Sequence, residues 1–410
     1  MASARLGFVV AVLLGAAGCD GGVTAPPGGD GGVTGDGAIV VDAAGGGGDG
    51  GGGGGDGGGG GDSGLAPDAG TSGTAVVYVG GNTISIFTLD LATGALTSRG
   101  TQAATSPSFL AVNPAKTALY AVEEGSPGRV NAFSITRSGA NLGALTALGG
   151  VGSGGNGPAH VSVDKSGKWV LAANYGSGTV AVLPVQASGG LAAAVDTESP
   201  GANAHLITVD PGNQFAFVPC LGVDRVAQFA FNSSTGQLTA NAVASVATVA
   251  GAGPRHLDFR PGGGFAYLIN EKDETMTALS YDATLGRLTP LQTLPALPAG
   301  APTAGTSGAE VLVHPSGKFV YGSNRGNNTI VGFAINAGTG MMTLIGHTPT
   351  GGNTPRSFAI DPSGNLMLVA NQGSGNIHAF RIDQSTGALT ALTPVTNVAA
   401  PAFVGIVTLP

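Results

Sequence analysis

The chain has 410 residues, 75 of them Gly, and a formal net charge of -8. Between Asp20 and Gly73 lie 26 of the Gly and eight Asp, with no Lys or Arg, so the acidity belongs to that stretch. The remainder is close to neutral, which excludes the basic footprint of a nucleic-acid-binding domain.

Arg5 precedes the apolar run Leu6–Leu14, which leads into Gly15-Ala16-Ala17-Gly18-Cys19. The run is too short to span a bilayer and has the form of an export signal. Small residues leading to a Cys resemble a bacterial lipobox. Residues 1–19 are therefore expected to be a lipoprotein signal peptide, with Cys19 as the lipidated mature N-terminus. A simple secretory signal cut near Ala17 is the alternative. On the lipoprotein reading the protein is exported and meets the cell membrane or outer membrane only through its lipid anchor, on the periplasmic or surface side. Residues 20–73 have no aromatic side chain and no apolar periodicity beyond Ala38–Val41. They cannot bury enough apolar surface to offset their ordering entropy and are expected to be a disordered tether. Asp49–Asp62 loosely resembles Gly/Asp-rich calcium repeats but lacks the apolar position such repeats need for stacking. No metal or cofactor is expected.

Residues 74–410 repeat with a period of about 50 residues, the range of propeller blades. The clearest copies run Pro158-Ala-His-Val-Ser-Val-Asp164 to Asn174 and Pro355-Arg-Ser-Phe-Ala-Ile-Asp361 to Asn371. Each unit opens at a Pro-like position, with a short apolar strand and a tight turn of the Asp-Pro-Ser-Gly type. A second apolar strand ends at Asn. A third strand alternates, as in Asn376–Ile382, and a polar turn leads to an edge strand. Gly, Asn, Asp and Ser supply the backbone conformations that such turns need. Units start at Pro107, Pro158, Ala204, Pro254, Gly308, Pro355 and Pro401. The last stops after one strand, Phe403–Leu409, and the first copy, Val76–Leu96, lacks that same strand. The pattern predicts an all-β, seven-bladed propeller of four-stranded antiparallel blades. One blade is shared by the two ends, which closes the ring and removes exposed edges. Cys220, among Phe217, Val218 and Leu221, has no disulfide partner once Cys19 is used and reads as a small buried hydrophobe. The propeller is expected to be a monomer.

Repeat phase places chemistry. The residue after each Pro-like position and the residue eleven after each turn Asp lie side by side at one end of the innermost hairpin. The first set is Ser108, Ala159, His205, Arg255, Ala309, Arg356 and Ala402. The residues next to these are Phe109, His160, Leu206, His256, Glu310, Ser357 and Phe403. The strand-end set is Glu124, Tyr175, Leu221, Glu271, Arg325, Gln372 and Gly81. In a domain poor in charge these positions collect Glu, Arg and His. His205, Arg255, Glu271 and Arg325 come from three neighbouring blades and fit an anionic or carbonyl-bearing small molecule: Arg pairs grip carboxylates and His or Glu can move a proton. The same set also fits a water-filled channel lined by mutually satisfied ion pairs.

The motifs Gly157-Pro-Ala-His160, Ala202-Asn-Ala-His205, Gly253-Pro-Arg-His256, Ile269-Asn-Glu271, Ala309-Glu310, Ser323-Asn-Arg-Gly326, Thr354-Pro-Arg356 and Ala370-Asn-Gln372 together resemble the lactonase family of seven-bladed propellers. That family includes 6-phosphogluconolactonase and carboxymuconate cyclase. The resemblance spans Val76–Pro410 in order. It implies a metal-independent site that opens or closes a lactone, with His205, Arg255, Glu271 and Arg325 in the catalytic roles. His160, Tyr175, His256, Glu310, Arg356 and Gln372 are the expected substrate-binding positions. Three features depart from the family pattern: Asn203 stands where the family usually has a second His, the loop before it is cut to Thr197–Gly201, and Cys220 stands where Asp is common. Two functions follow. One is an exported hydrolase of a sugar-type or carboxylated lactone, with Glu271 or His205 as general base and the other protonating the leaving alkoxide. The alternative is a non-catalytic surface propeller that binds a small anionic ligand or a protein partner.

Overall fold

The computed structural model describes residues 73–393 and 395–410; the leader, Cys19 and most of the Gly/Asp stretch lie outside the described residues. Among the described residues every regular element is a β-strand, and the strands form seven antiparallel sheets. One sheet joins the two ends of the chain: β1 (Thr74–Gly80), β2 (Ile84–Leu89) and β3 (Leu96–Gln102) are completed by the last strand, β29 (Phe403–Leu409).

The other blades follow in chain order. Blade one is β4 (Leu110–Val112), β5 (Ala118–Glu123), β6 (Arg129–Ile135) and β7 (Leu145–Gly152). Blade two is β8 (Pro158–Val163), β9 (Trp169–Asn174), β10 (Thr179–Pro184) and β11 (Asp196–Glu198). Blade three is β12 (Thr208–Val209), β13 (Phe215–Cys220), β14 (Arg225–Asn232) and β15 (Gln237–Ala247). Blade four is β16 (Pro254–Phe259), β17 (Phe265–Asn270), β18 (Thr275–Asp282) and β19 (Arg287–Pro295). Blade five is β20 (Ser307–Val313), β21 (Phe319–Arg325), β22 (Thr329–Ile335) and β23 (Met342–Pro349). Blade six is β24 (Pro355–Ile360), β25 (Leu366–Asn371) and β26 (Asn376–Ile382), with β27 (Leu389–Ala391) and β28 (Thr396–Asn397) both pairing with β26.

The shared blade forms as the repeat pattern predicts. β29 runs antiparallel to β1 in unbroken register, with Val76 opposite Val407 and Thr74 opposite Leu409. One face of this blade packs with blade one, through Val76 and Tyr78 against Leu110 and Leu119. The other packs with blade six, through Val77 and Val404 against Leu366 and Leu368. That double burial closes the ring.

Two side-chain devices fix the blades. The turn Asp ties down its own hairpin: in blade six the Asp361 carboxylate accepts the backbone N–H of Ser363 at 3.0 Å and of Leu366 at 2.6 Å, and Asp164 does the same in blade two. The large middle-strand side chains reach forward to the next blade. Tyr78, Tyr120, Tyr267 and Tyr321 each donate a hydroxyl to the carbonyl of a turn glycine there: Gly143, Gly189, Gly340 and Gly387. Trp169 reaches Ser233 in the same way. Gly340 must be glycine on two counts: its φ is 71°, and a Cβ would stand 2.2 Å from the Phe265 ring. Cys220 is free and fully buried, and burial pushes its thiol up to about 11, as suits a packing residue.

Candidate active site

The inner strands do not run as simple alternating ladders. In blades two, four, five and six the register slips where the strand begins: between Pro158 and His160, Pro254 and His256, Gly308 and Val311, and Pro355 and Ser357. A bulge sets two residues against one and re-aims the side chains. In a regular strand Arg255 and His256 would point to opposite faces. Here both turn into the ring, at successive depths. Blade three goes further: its inner strand is regular only at Thr208–Val209, and His205 sits ahead of it, held by its backbone N–H on Pro219 O at 3.0 Å. Pro219 on the partner strand has no N–H to return, which helps explain why the ladder stays short there.

The upper tier surrounds a cavity of about 300 Å³ lined by Glu124, Gly157, Ala159, Tyr175, Gly176, His205, Glu271, Arg325 and Arg356. Glu271 bridges two guanidiniums: its Oε2 is 2.9 Å from Arg255 Nε and its Oε1 is 3.1 Å from Arg325 Nη2. Both arginines are also anchored to the backbone, Arg255 Nη1 donating to Ala309 O at 2.6 Å and Arg325 Nη2 to Gly308 O at 3.0 Å. Arg255 is almost wholly buried; burial, then the charge of Arg325, pull its guanidinium down to about 9, which leaves it charged at neutral pH. Burial alone would raise the Glu271 carboxyl, but Arg255 and Arg325 more than offset this and hold it below the usual carboxylate range. His205 stacks edge-on against Tyr175 with ring centroids 5.6 Å apart. Burial, followed by Arg255, keeps its imidazole neutral well below the ordinary value. Its Nδ1 is buried and has no hydrogen-bond partner among the described residues.

The lower tier is a plug. Phe109, His160, His256 and Phe403 pack ring against ring, with centroids of 4.2 Å for Phe109–His160, 5.6 Å for His160–His256 and 4.7 Å for Phe109–Phe403. His256 also meets His205 at 5.1 Å, so the plug supports the upper tier. His256 Nδ1 lies 2.7 Å from Glu310 Oε1, and both residues are 2% exposed. Burial raises the Glu310 carboxyl to about 8 and depresses His256, so the two form an uncharged pair at neutral pH.

Of the expected positions, the structure gathers His205, Glu271, Arg325, Arg356 and Tyr175 on the cavity wall, with Arg255 immediately behind Glu271. His160, His256 and Glu310 are buried one layer deeper and do not line the cavity, so direct contact with a substrate does not follow from their position. Gln372 is half-buried beside blade six and is not part of the cavity wall. Glu124 was visible in the strand-end set without a role. The structure puts it on the wall, 3.8 Å from Arg356 Nη2, with its carboxylate accepting a hydrogen bond from the Ser108 hydroxyl. Among the described residues no group of His, Cys, Asp and Glu is arranged to hold a metal.

The described residues thus form a closed seven-bladed propeller in which guanidiniums, an ionised carboxylate and a neutral imidazole converge on one cavity. The profile of the family described as "Lactonase, 7-bladed beta-propeller" matches residues 72–406. The chain belongs to that lactonase family. Among its relatives, 6-phosphogluconolactonase of Bacillus subtilis is 33% identical over 253 residues, covering 58% of this chain and 70% of that protein. 6-Phosphogluconolactonase of Pectobacterium carotovorum is 34% identical over 198 residues, covering 48% of this chain and 59% of that protein. Among solved structures, the periplasmic gluconolactonase of Pseudomonas aeruginosa aligns with a TM-score of 0.77 and 28% identity, over 82% of this chain and 100% of that one.

Proposed function

We propose that this protein is an exported lactonase that hydrolyses a sugar-type or carboxylated lactone at the Arg255–Glu271–Arg325 cluster. The observation that carries this reading is the pairing of two anchored guanidiniums with a neutral, cavity-facing His205. The low carboxyl of Glu271 and its commitment to two arginines argue against it as the proton carrier. His205, uncharged at neutral pH, takes the proton of the attacking water. The new C–O bond pushes the carbonyl electrons onto oxygen, and Arg325 and Arg255 favour that oxyanion. Collapse breaks the ring C–O bond, and the leaving alkoxide recovers the proton from the His205 imidazolium. Lactone and water give one hydroxy acid, with the enzyme unchanged. Glu271 stays ionised throughout and aligns the guanidiniums.

Export rests on the Arg5–Cys19 leader and agrees with the periplasmic character of the Pseudomonas relative. An extracytoplasmic site makes an unphosphorylated lactone the better natural substrate. The protein is proposed to act as a monomer on a small lactone, without cofactor, metal or nucleic acid, tethered through Cys19. The test is hydrolysis of simple lactones by the wild type and by His205→Asn. The expected loss in kcat is about 10²–10⁴-fold, the range for removing a proton carrier. Full turnover in the variant would overturn the role of His205. Binding without turnover in the wild type would make this a ligand-binding propeller instead.

A further inference from the structure

The three guanidiniums at the cavity are not equivalent. Arg255 and Arg325 are each committed to Glu271 and to a backbone carbonyl. Arg356 makes no hydrogen bond among the described residues. Its one ion-pair contact among the described residues, Glu124, stands 3.8 Å away, beyond hydrogen-bond reach, while Arg325, Glu271 and Glu310 act on it from further off. The guanidinium is nevertheless mostly sheltered, with the side chain 23% exposed. An Arg held in a sheltered cavity wall with its donors unspent is a vacant fork for an oxyanion.

Its place in the ring gives that fork a direction. His205 comes from blade three, Arg325 from blade five, and Arg356 from blade six, with Glu124 from blade one. Arg356 and Glu124 therefore flank the shared blade, across the cavity from His205. A lactone whose carbonyl lies between His205 and Arg325 presents the other end of its carbon chain to Arg356.

We infer that Arg356 is the specificity-determining residue of the site, gripping a carboxylate at the end of the substrate remote from the lactone carbonyl. Lactones with one such carboxylate are then preferred to neutral or phosphorylated ones. The inference rests on the lactonase reading. The charge balance selects the class: three guanidiniums face the carboxylates Glu271 and Glu124, the third carboxyl, Glu310, being held protonated by burial in its pair with His256, and a single added negative charge completes neutrality. A phosphate monoester brings close to two charges at neutral pH. Beside Glu124 the second charge is repelled in a partly desolvated site.

The experiment compares gluconolactone, glucarolactone of the same ring size and 6-phosphogluconolactone on the wild type, Arg356→Gln, Arg356→Lys and Glu124→Gln. In the wild type the kcat/KM ratio of glucarolactone to gluconolactone should be about 10–100, the worth of a sheltered charge-assisted pair. Arg356→Gln should bring that ratio near one. Arg356→Lys keeps the charge but loses the planar fork, so most of the preference should go with it, and it serves as the second variant if the Gln form does not fold. Glu124→Gln should raise the relative rate on the phosphorylated lactone. A wild-type ratio near one, or an undiminished ratio in Arg356→Gln, overturns the inference. If the wild type hydrolyses none of the three, the lactonase reading fails, and calorimetry with the open-chain acids decides the inference. Glucarate bound more tightly than gluconate in the wild type, but not in Arg356→Gln, supports it; equal affinities in the wild type overturn it.

Discussion

Replacing Glu271 by Gln removes one charge from the centre of the cluster and changes almost no volume. Arg255, with a side chain 3% exposed, loses the carboxylate 2.9 Å from its Nε and keeps only the bond to Ala309 O. Arg325 loses its partner at 3.1 Å, and the two guanidiniums then face each other uncompensated. Breaking a fully buried pair by removing one member costs about 3–5 kcal/mol. Glu271 is 24% exposed and Arg325 17%, so water screens part of the loss and about 1–3 kcal/mol is expected here. At about 2 cal/mol/K per residue of unfolding entropy, a domain of this size loses about 1–4 °C in Tm. The same change frees both guanidiniums from the position where the oxyanion forms, and kcat/KM on a lactone should fall about 10²-fold. The pH dependence has a definite sign. The folded-state carboxyl lies below its ordinary value of 4.5, so its contribution is complete above that pH and is lost as the pH falls through the lowered value. The Tm gap between wild type and Glu271→Gln should therefore be full at pH 7 and shrink in strong acid. Melting curves across pH and hydrolysis rates on the same two proteins provide the measurement. A lower Tm with undiminished turnover would reduce the cluster to a structural ion pair, and an unchanged Tm with full activity would refute the geometry-based argument outright.

Ending the chain at Val398 deletes β29 and leaves β1 with an unpaired edge and with the apolar faces of Val77 and Tyr78 uncovered. Aggregation or failure to fold is expected, and a soluble protein with one cooperative melting transition would show that β29 is not what closes the ring. Glu310→Gln probes the plug. Its carboxyl is raised to about 8 in the fold, so the stability it lends is present below its ordinary value of 4.5 and is lost as the pH rises through about 8. The wild type should lose more Tm between pH 6 and 9 than Glu310→Gln does, and parallel curves for the two would mean that Glu310 is already ionised at neutral pH.

Much of the architecture was legible in the sequence because a propeller is a local repeat. The Asp164 and Asp361 turns, the Asn174 and Asn371 strand ends and the complementary fragments Val76–Leu96 and Phe403–Leu409 each follow from short-range turn chemistry and strand alternation. They fix blade count and closure without knowledge of any contact; the split of the outer strand of blade six into β27 and β28 was not among them. The same phase assigned one face of the ring to His205, Arg255, Glu271 and Arg325. The sequence could not rank residues along the channel. His256 follows Arg255 in the chain, and Glu310 lies one step past Ala309. Whether such neighbours share a cavity or stack at different depths depends on the bulge that opens the inner strand, and a bulge is a property of pairing with the next strand. For the same reason His160, His256 and Glu310 read as substrate contacts, whereas the structure buries them one layer beneath the cavity wall. Glu124 and Arg356 show the complementary limit: their approach spans the shared blade and exists only once the ring has closed. Repetition along the chain determined the scaffold. Depth, pairing and charge state within the cavity were decided by tertiary structure, because desolvation and Coulomb interactions depend on distances between blades, which a repeat pattern does not encode.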